Sequence, residues 1–241
     1  REIVHLATLF DRVVHIAPVH DSASPRGFLP YQADNVAVVP VQPVGGTRWT
    51  DKLAIVASIP AYGRTILREL PRADVIHIRA PANIALVAMV LLAFVRHPQR
   101  RWIKYAGNWK PFGPEAKSYT FQRWWLTRNF SRSPVTVNGE WPDMPPHVRT
   151  FFNPCLTAEE LAAGRAAAAD KTLVEPIRLL FVGRLDSAKG ADRVLSIAAE
   201  LRRADIRFVL EMIGDGPEKA NLRQLTRQLA IDDSVHFYGW L

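Results

Sequence analysis

Leu179-Leu180-Phe181-Val182-Gly183-Arg184-Leu185-Asp186-Ser187-Ala188-Lys189-Gly190 is the stretch on which the fold turns. An apolar run of strand length ends in glycine, a short polar loop follows, and a helix is predicted to begin just after the second glycine. In α/β folds, the carboxyl end of a parallel strand facing a helix N-terminus is where phosphate binds. Unpaired backbone N–H groups and the helix dipole both favour an anion there. Arg184 and Lys189 lie in that loop. Arginine grips two phosphate oxygens in a planar fork, and lysine adds a compact point charge. The loop is neither a Walker A sequence nor a G-x-G-x-x-G fingerprint, which disfavours nucleoside triphosphate and NAD readings. Taken alone, it reads equally well as a solvated surface loop, so its flanks must decide.

Outward from the loop, residues 177–182, 208–213 and 235–237 read as strands, with helices at about 191–203 and 218–229. This is a βαβαβ series. Upstream, Thr157-Ala158-Glu159-Glu160 has the spacing of a capping box and opens an alanine-rich helix that runs out at Asp170. A boundary near 164–176 therefore divides the chain into domains 1–170 and 171–241. The first part alternates candidate strands at 13–17, 36–39, 75–78, 102–105, 135–137 and 148–152 with helices near 51–70, 84–96 and 117–130. Most prolines, Pro40 among them, are expected in the connections. The fold class is α/β, with two Rossmann-like domains, the second incomplete.

Three blocks now stand in order: Gly183-Arg184-Leu185 with Lys189-Gly190 and Asp192, then Ile213-Gly214-Asp215-Gly216-Pro217, then Val235 and Phe237 with Gly239-Trp240. Together they resemble the donor-domain signature of the family 4 retaining glycosyltransferases, of GT-B fold. The resemblance implies transfer of a hexosyl unit from a nucleotide diphosphate sugar to a glycan or lipid-linked acceptor. It implies that Arg184 and Lys189 contact the donor diphosphate and stabilise the leaving nucleotide, with Gly183 and Gly190 shaping the donor loop. The Gly-Asp-Gly-Pro turn reads as structural, since two glycines and a proline are turn chemistry first. Residues 1–170 resemble the family's acceptor domain more faintly. Asn153 stands at the position of its hinge asparagine. Where the family has a histidine after the strand at 102–105, Asn108 or Trp109 takes its place. Arg79, in Asp74-Val75-Ile76-His77-Ile78-Arg79, is a further cleft candidate, and His77 is expected to be a satisfied strand histidine. The family opens with a strand that precedes residue 1, and its E-x7-E segment falls beyond Leu241. The chain as given is thus expected to be inactive, with the outer edge of strand 177–182 bare.

The 241 residues carry a net charge of +8, unevenly placed. Residues 1–170 hold 20 Lys and Arg against 13 Asp and Glu, whereas residues 171–241 hold 11 against 10. A basic first domain calls for an anionic partner, and the stretch Phe121–Arg132 interleaves aromatics with three arginines, as a helix on an anionic membrane surface would. A core-packed helix with a solvated basic face fits the same pattern. No nucleic-acid-binding motif is present. The longest apolar run, residues 84–95, is twelve residues, against about 20 for a membrane span. The single Cys155 permits no intrachain disulfide, which suits a cytoplasmic protein, peripheral on the membrane's inner face or free of it. No His/Cys cluster or Asp-x-Asp suggests a metal, so no cofactor is expected beyond the nucleotide sugar itself. Two other readings stay open: a non-hydrolysing nucleotide-sugar epimerase, and a non-catalytic module of the same fold that docks to an anionic surface.

Overall fold

Strand and helix alternate along most of the chain, although strand Val13–Pro18 is followed directly by Val36–Val41, and Val135–Asn138 by Val148–Phe151, among the described residues. The computed structural model describes residues 2–20, 30–46, 48–111, 113, 115–152 and 156–240. Two units part between residues 155 and 156: Arg1–Cys155 and Leu156–Leu241.

The first unit runs α1 (Glu2–Leu9), β1 (Val13–Pro18), β2 (Val36–Val41), α2 (Trp49–Glu69), β3 (Val75–Ala80), α3 (Asn83–Phe94), β4 (Arg100–Tyr105), α4 (Lys117–Thr127), β5 (Val135–Asn138) and β6 (Val148–Phe151). Every strand pair is parallel, as βαβ connections require. Among the described residues β1 pairs only with β2, while β3-β4-β5-β6 form a second sheet. Ile16 of β1 nevertheless packs against the core of the larger sheet. Pro40 lies inside β2 rather than in a connection. Among the described residues β2 has a single hydrogen-bonded neighbour, and an edge strand tolerates the missing donor. Met89 and Leu92 of α3, Ile103 and Tyr105 of β4, and Val135 and Val137 of β5 are at most 1% exposed and form the centre of the core. α3 buries Ala85, Ala88, Met89 and Leu92 on one face, while its other apolar residues are only partly covered.

The end of α3 is held by Arg101. Its buried guanidinium donates to the carbonyls of Leu92 (2.7 Å), Pro98 (2.7 Å), Ser131 (3.2 Å) and Val95. These include carbonyls of the last helical turn, which have no intrahelical donor and would otherwise be buried unsatisfied.

The second unit runs α5 (Ala158–Ala169), β7 (Ile177–Val182), α6 (Ala191–Arg203), β8 (Phe208–Ile213), α7 (Lys219–Gln228) and β9 (Val235–Gly239), with a 3-10 turn at Ser187–Lys189. Its sheet is parallel, in the order β7-β8-β9, with Leu179 opposite Leu210 and Leu210 opposite Val235. α6 buries Ala191, Leu195, Ala198 and Ala199, the i, i+4, i+7, i+8 stripe of an amphipathic helix. Along β7, Arg178, Leu180 and Val182 are exposed, and among the described residues the strand has β8 as its only hydrogen-bonded neighbour. α5 falls within this second unit, whereas the sequence places residues 158–169 in the first domain. It buries no side chain. Alanine propensity and the capping box hold it: Thr157 Oγ1 accepts from the Glu160 N–H at 3.2 Å, and the Glu160 carboxylate accepts from the Thr157 N–H at 2.7 Å.

Candidate functional site

The loops after β7 and β8 meet each other and the end of β9. Backbone hydrogen bonds lock them: Gly183 N–H to Ile213 O at 3.0 Å, Leu185 N–H to Asp215 O at 2.9 Å, and Gly214 N–H to Gly239 O at 2.7 Å. The turn after β8 lies so close to the loop after β7 that only glycine fits. A Cβ on Gly214 would fall 1.9 Å from the Gly183 carbonyl oxygen, and φ there is +134°, a conformation L side chains avoid. A Cβ on Gly216 would fall 2.3 Å from Leu185 O. The Gly-Asp-Gly-Pro turn is therefore structural, and its work is to brace the loop that carries Arg184 and Lys189.

Gly183 differs. A Cβ there would meet nothing closer than the Phe181 ring at 3.6 Å, an ordinary contact. The protein around it does not demand a glycine.

Within the loop, Asp186 organises both cations. Its carboxylate accepts from Arg184 Nε at 2.6 Å and from the Lys189 backbone N–H at 3.1 Å, which caps the 3-10 turn. The hydrogen bond from Arg184 comes first among the causes that hold the Asp186 carboxyl below its usual range. Arg184 spends only Nε on this contact. Its two terminal nitrogens have no protein partner among the described residues, and its side chain is largely exposed. The guanidinium is thus oriented by a carboxylate on one edge and open on the other. Gly190 adopts a left-handed conformation (φ +71°) between the 3-10 turn and α6. Lys219, at the start of α7, bonds Asp215 at 2.8 Å and lies 3.7 Å from a Cβ built on Gly239, so a third cation joins the same loop cluster.

Gly183, Arg184, Lys189 and Gly190 lie together in the loop that joins β7 to α6. Asp186 and Lys219 were not singled out, although the Arg-x-Asp spacing and the lysine two residues beyond Pro217 were signals for them. The other candidates belong to the first unit. Asn108 is exposed after β4. Trp109 is buried, its ring edge-on to Tyr105 at 5.5 Å, so of the two only Asn108 offers its side chain to solvent. Arg79 is exposed on β3, 3.8 Å from Glu2. His77 is not the satisfied histidine expected: it stacks on Trp102 at 4.3 Å while its buried Nε2 has no hydrogen-bond partner among the described residues. Asn153 and Cys155 lie outside the described residues. Among the described residues, no group of three His, Cys, Asp or Glu could hold a metal ion.

Residues 167–241 match the family described as glycosyl transferases group 1. Among curated proteins no sequence match is found. Among solved structures, the chain is similar to WaaG, described as a glycosyltransferase involved in lipopolysaccharide biosynthesis. Identity is 15%, over 98% of this chain and 64% of that one, with a TM-score of 0.51. It is also similar to TarM, at 11% identity over 76% of this chain and 36% of that one, with a TM-score of 0.53. A structure of S. aureus TarM in complex with UDP and alpha-GlcNAc-glycerol matches at 10% identity, over the same shares, with a TM-score of 0.50. At these identities the likeness shows the fold: α/β, with the Rossmann-like units of GT-B glycosyltransferases. The chain spans less than two thirds of the length of each of these structures.

Proposed function

We propose that the whole protein is a retaining glycosyltransferase that moves a hexosyl unit from a nucleotide diphosphate sugar to a glycan or lipid-linked acceptor, working on the cytoplasmic side of a membrane. The observation that carries this reading is the cationic loop cluster of the second unit. Arg184, held by Asp186, keeps a free edge in the loop that also carries Lys189, the neighbouring turn holds Lys219 through Asp215, and residues 167–241 match the glycosyl transferases group 1 family.

Breaking the bond between the sugar's anomeric carbon and the diphosphate oxygen leaves negative charge on the nucleoside diphosphate. Cations held in place stabilise that charge without reorganising during the reaction. The acceptor oxygen bonds to the anomeric carbon on the face the diphosphate leaves, and its proton passes to the departing phosphate. Arg184 and Lys189 act on the leaving group throughout, so no metal ion is required. Gly183, which the protein's own packing does not require, leaves the backbone open to close approach by the donor. Asn108, Arg79 and Asn153 remain acceptor-side candidates.

Titration of UDP, GDP and ADP into the full-length protein in the presence of a metal chelator tests the reading. At least one should bind, with Arg184 and Lys189 signals moving. No binding by any of the three would overturn it. Detectable sugar transfer by the full-length protein would separate this reading from that of a non-catalytic module.

A further inference from the structure

We propose that the end of α3 and the outer face of α4 form a docking surface for an anionic lipid bilayer. This rests on the first unit alone, independently of the donor site. The sequence suggests residues 121–132 as a whole, and the structure sorts them. Gln122 and Leu126 are buried against the core, and Trp125 is half-buried. Arg123 is engaged by Glu115 and by the Tyr105 hydroxyl. What faces outward is Phe121, Trp124 and Phe130, joined by the Phe94 side chain from α3, which is 81% exposed.

These rings are continuous. Phe121 and Trp124 lie 5.5 Å apart, and Trp124 and Phe130 5.3 Å. Phe94, Trp124, Phe130 and Arg132 line a groove of about 430 Å³. Phe121 also borders a second groove of about 460 Å³, walled by Ile55, Ile59, Val87, Val90 and Leu91. The polar side chains on that wall are already used: Ser58 on Ile55 O, Tyr62 on Gln42 O and Asn83 on Val44 O. A groove with an apolar wall, whose polar side chains each already donate to a backbone carbonyl, suits hydrocarbon better than peptide.

Charge identifies the surface it meets. Residues 75–139 contain ten Lys and Arg, and Glu115 is their only acidic residue. That carboxylate is taken by Arg123, while Lys117, Arg128 and Arg132 are exposed without an ion-pair partner among the described residues. Aromatic rings at headgroup depth, flanked by free cations, match an anionic leaflet in both chemistry and sign. Among the described residues no helix is long and apolar enough to cross a membrane, so the contact is with one leaflet.

Flotation with vesicles of phosphatidylcholine, and of phosphatidylcholine with about one third phosphatidylglycerol, tests this. The chain should bind the anionic vesicles, bind the neutral ones far more weakly, and come off as salt rises from about 0.1 M to about 1 M. Brominated lipid should quench its tryptophan emission, and Trp124→Phe should remove most of that quenching. Arg128→Gln with Arg132→Gln should lower partitioning roughly 25-fold, about fivefold per cation. Phe94→Ser should lower it about tenfold. Both changes are at exposed positions and should leave the melting temperature at the parent value. Equal, negligible binding to the two vesicles would overturn the proposal. So would anionic binding that neither variant weakens, since another surface would then be responsible. Neither result touches the donor-site reading, because no nucleotide sugar is present.

Discussion

Gly214 lies against Gly183 so closely that a methyl group on the first would occupy the space of the second's carbonyl oxygen, 1.9 Å away. The two residues belong to different strand ends and different sequence blocks, and their contact makes the blocks one object. Gly214→Ala should therefore destabilise the second unit by roughly 2–4 kcal/mol, through the clash and the positive φ together. Gly164, within exposed α5 and with nothing near its missing Cβ, should behave oppositely. Gly164→Ala should raise stability by about 0.5–1 kcal/mol. Urea unfolding of both variants measures the contrast. A Gly214→Ala protein as stable as the parent would show that the loops are not braced in this way.

Arg184→Ala or Lys189→Ala should weaken nucleoside diphosphate binding about 10- to 150-fold, the range of one or two charge-assisted hydrogen bonds. The double variant should lose less than the product, since both groups act on one anion. Arg184→Lys should recover part of the loss. Asp186→Asn keeps an acceptor for the Lys189 N–H but drops the ion pair, and should cost roughly 3- to 10-fold. Gly183→Ala should weaken binding about tenfold with no change in melting temperature, because its Cβ meets only Phe181. Arg203, paired with Glu200 at the far end of α6, should tolerate alanine. Calorimetric titration gives every value. Affinities within twofold of the parent for both Arg184→Ala and Lys189→Ala would remove the phosphate-clamp assignment.

His77 should make the first unit sensitive to mild acid. Burial is the largest cause holding its imidazole below the ordinary 6.5. The nearby Lys104, Arg79 and His15 act in the same direction, and Glu2 opposes them. With the folded value depressed, the stability is fully present above 6.5. As pH falls through 6.5 the unfolded chain takes up the proton first, so stability drops until the folded imidazole also titrates. His15, likewise lowered by burial, adds a slope of the same sign. The useful quantity is therefore the difference between the parent and His77→Phe, which keeps a ring against Trp102. Denaturation between about pH 5 and pH 8 should show a shallower decline for the variant. Identical slopes would place His77 in solvent.

The strand–helix order was legible because each element announces itself locally. α6 carries a helical stripe, and residues 177–182 form a short apolar run closed by Gly183. The site loop was legible for the same reason, since Gly183, Arg184, Lys189 and Gly190 are neighbours in sequence. What sequence could not supply depended on partners distant along the chain. Nothing local says that Trp109 turns into the core while Asn108 stays outside, or that Arg123 finds Tyr105 and Glu115. His77 looked satisfied because alternation reports burial and is silent on whether a buried nitrogen has a partner. The separation of β1–β2 from the larger sheet is likewise a matter of which strands pair, which hydrophobic pattern does not encode.

Arg101 bears on how the first unit meets any surface. By supplying donors to the carbonyls at the end of α3 and to Ser131, it joins the segments that carry Phe94 and Phe130 to the sheet. A helix terminus fastened this way does not fray, so its conformational entropy is already lost when the chain folds. Peptides that become helical only on reaching lipid lose that freedom at the moment of contact. Here the aromatic rim would arrive as a rigid body, and helix content measured by circular dichroism would be the same with and without vesicles.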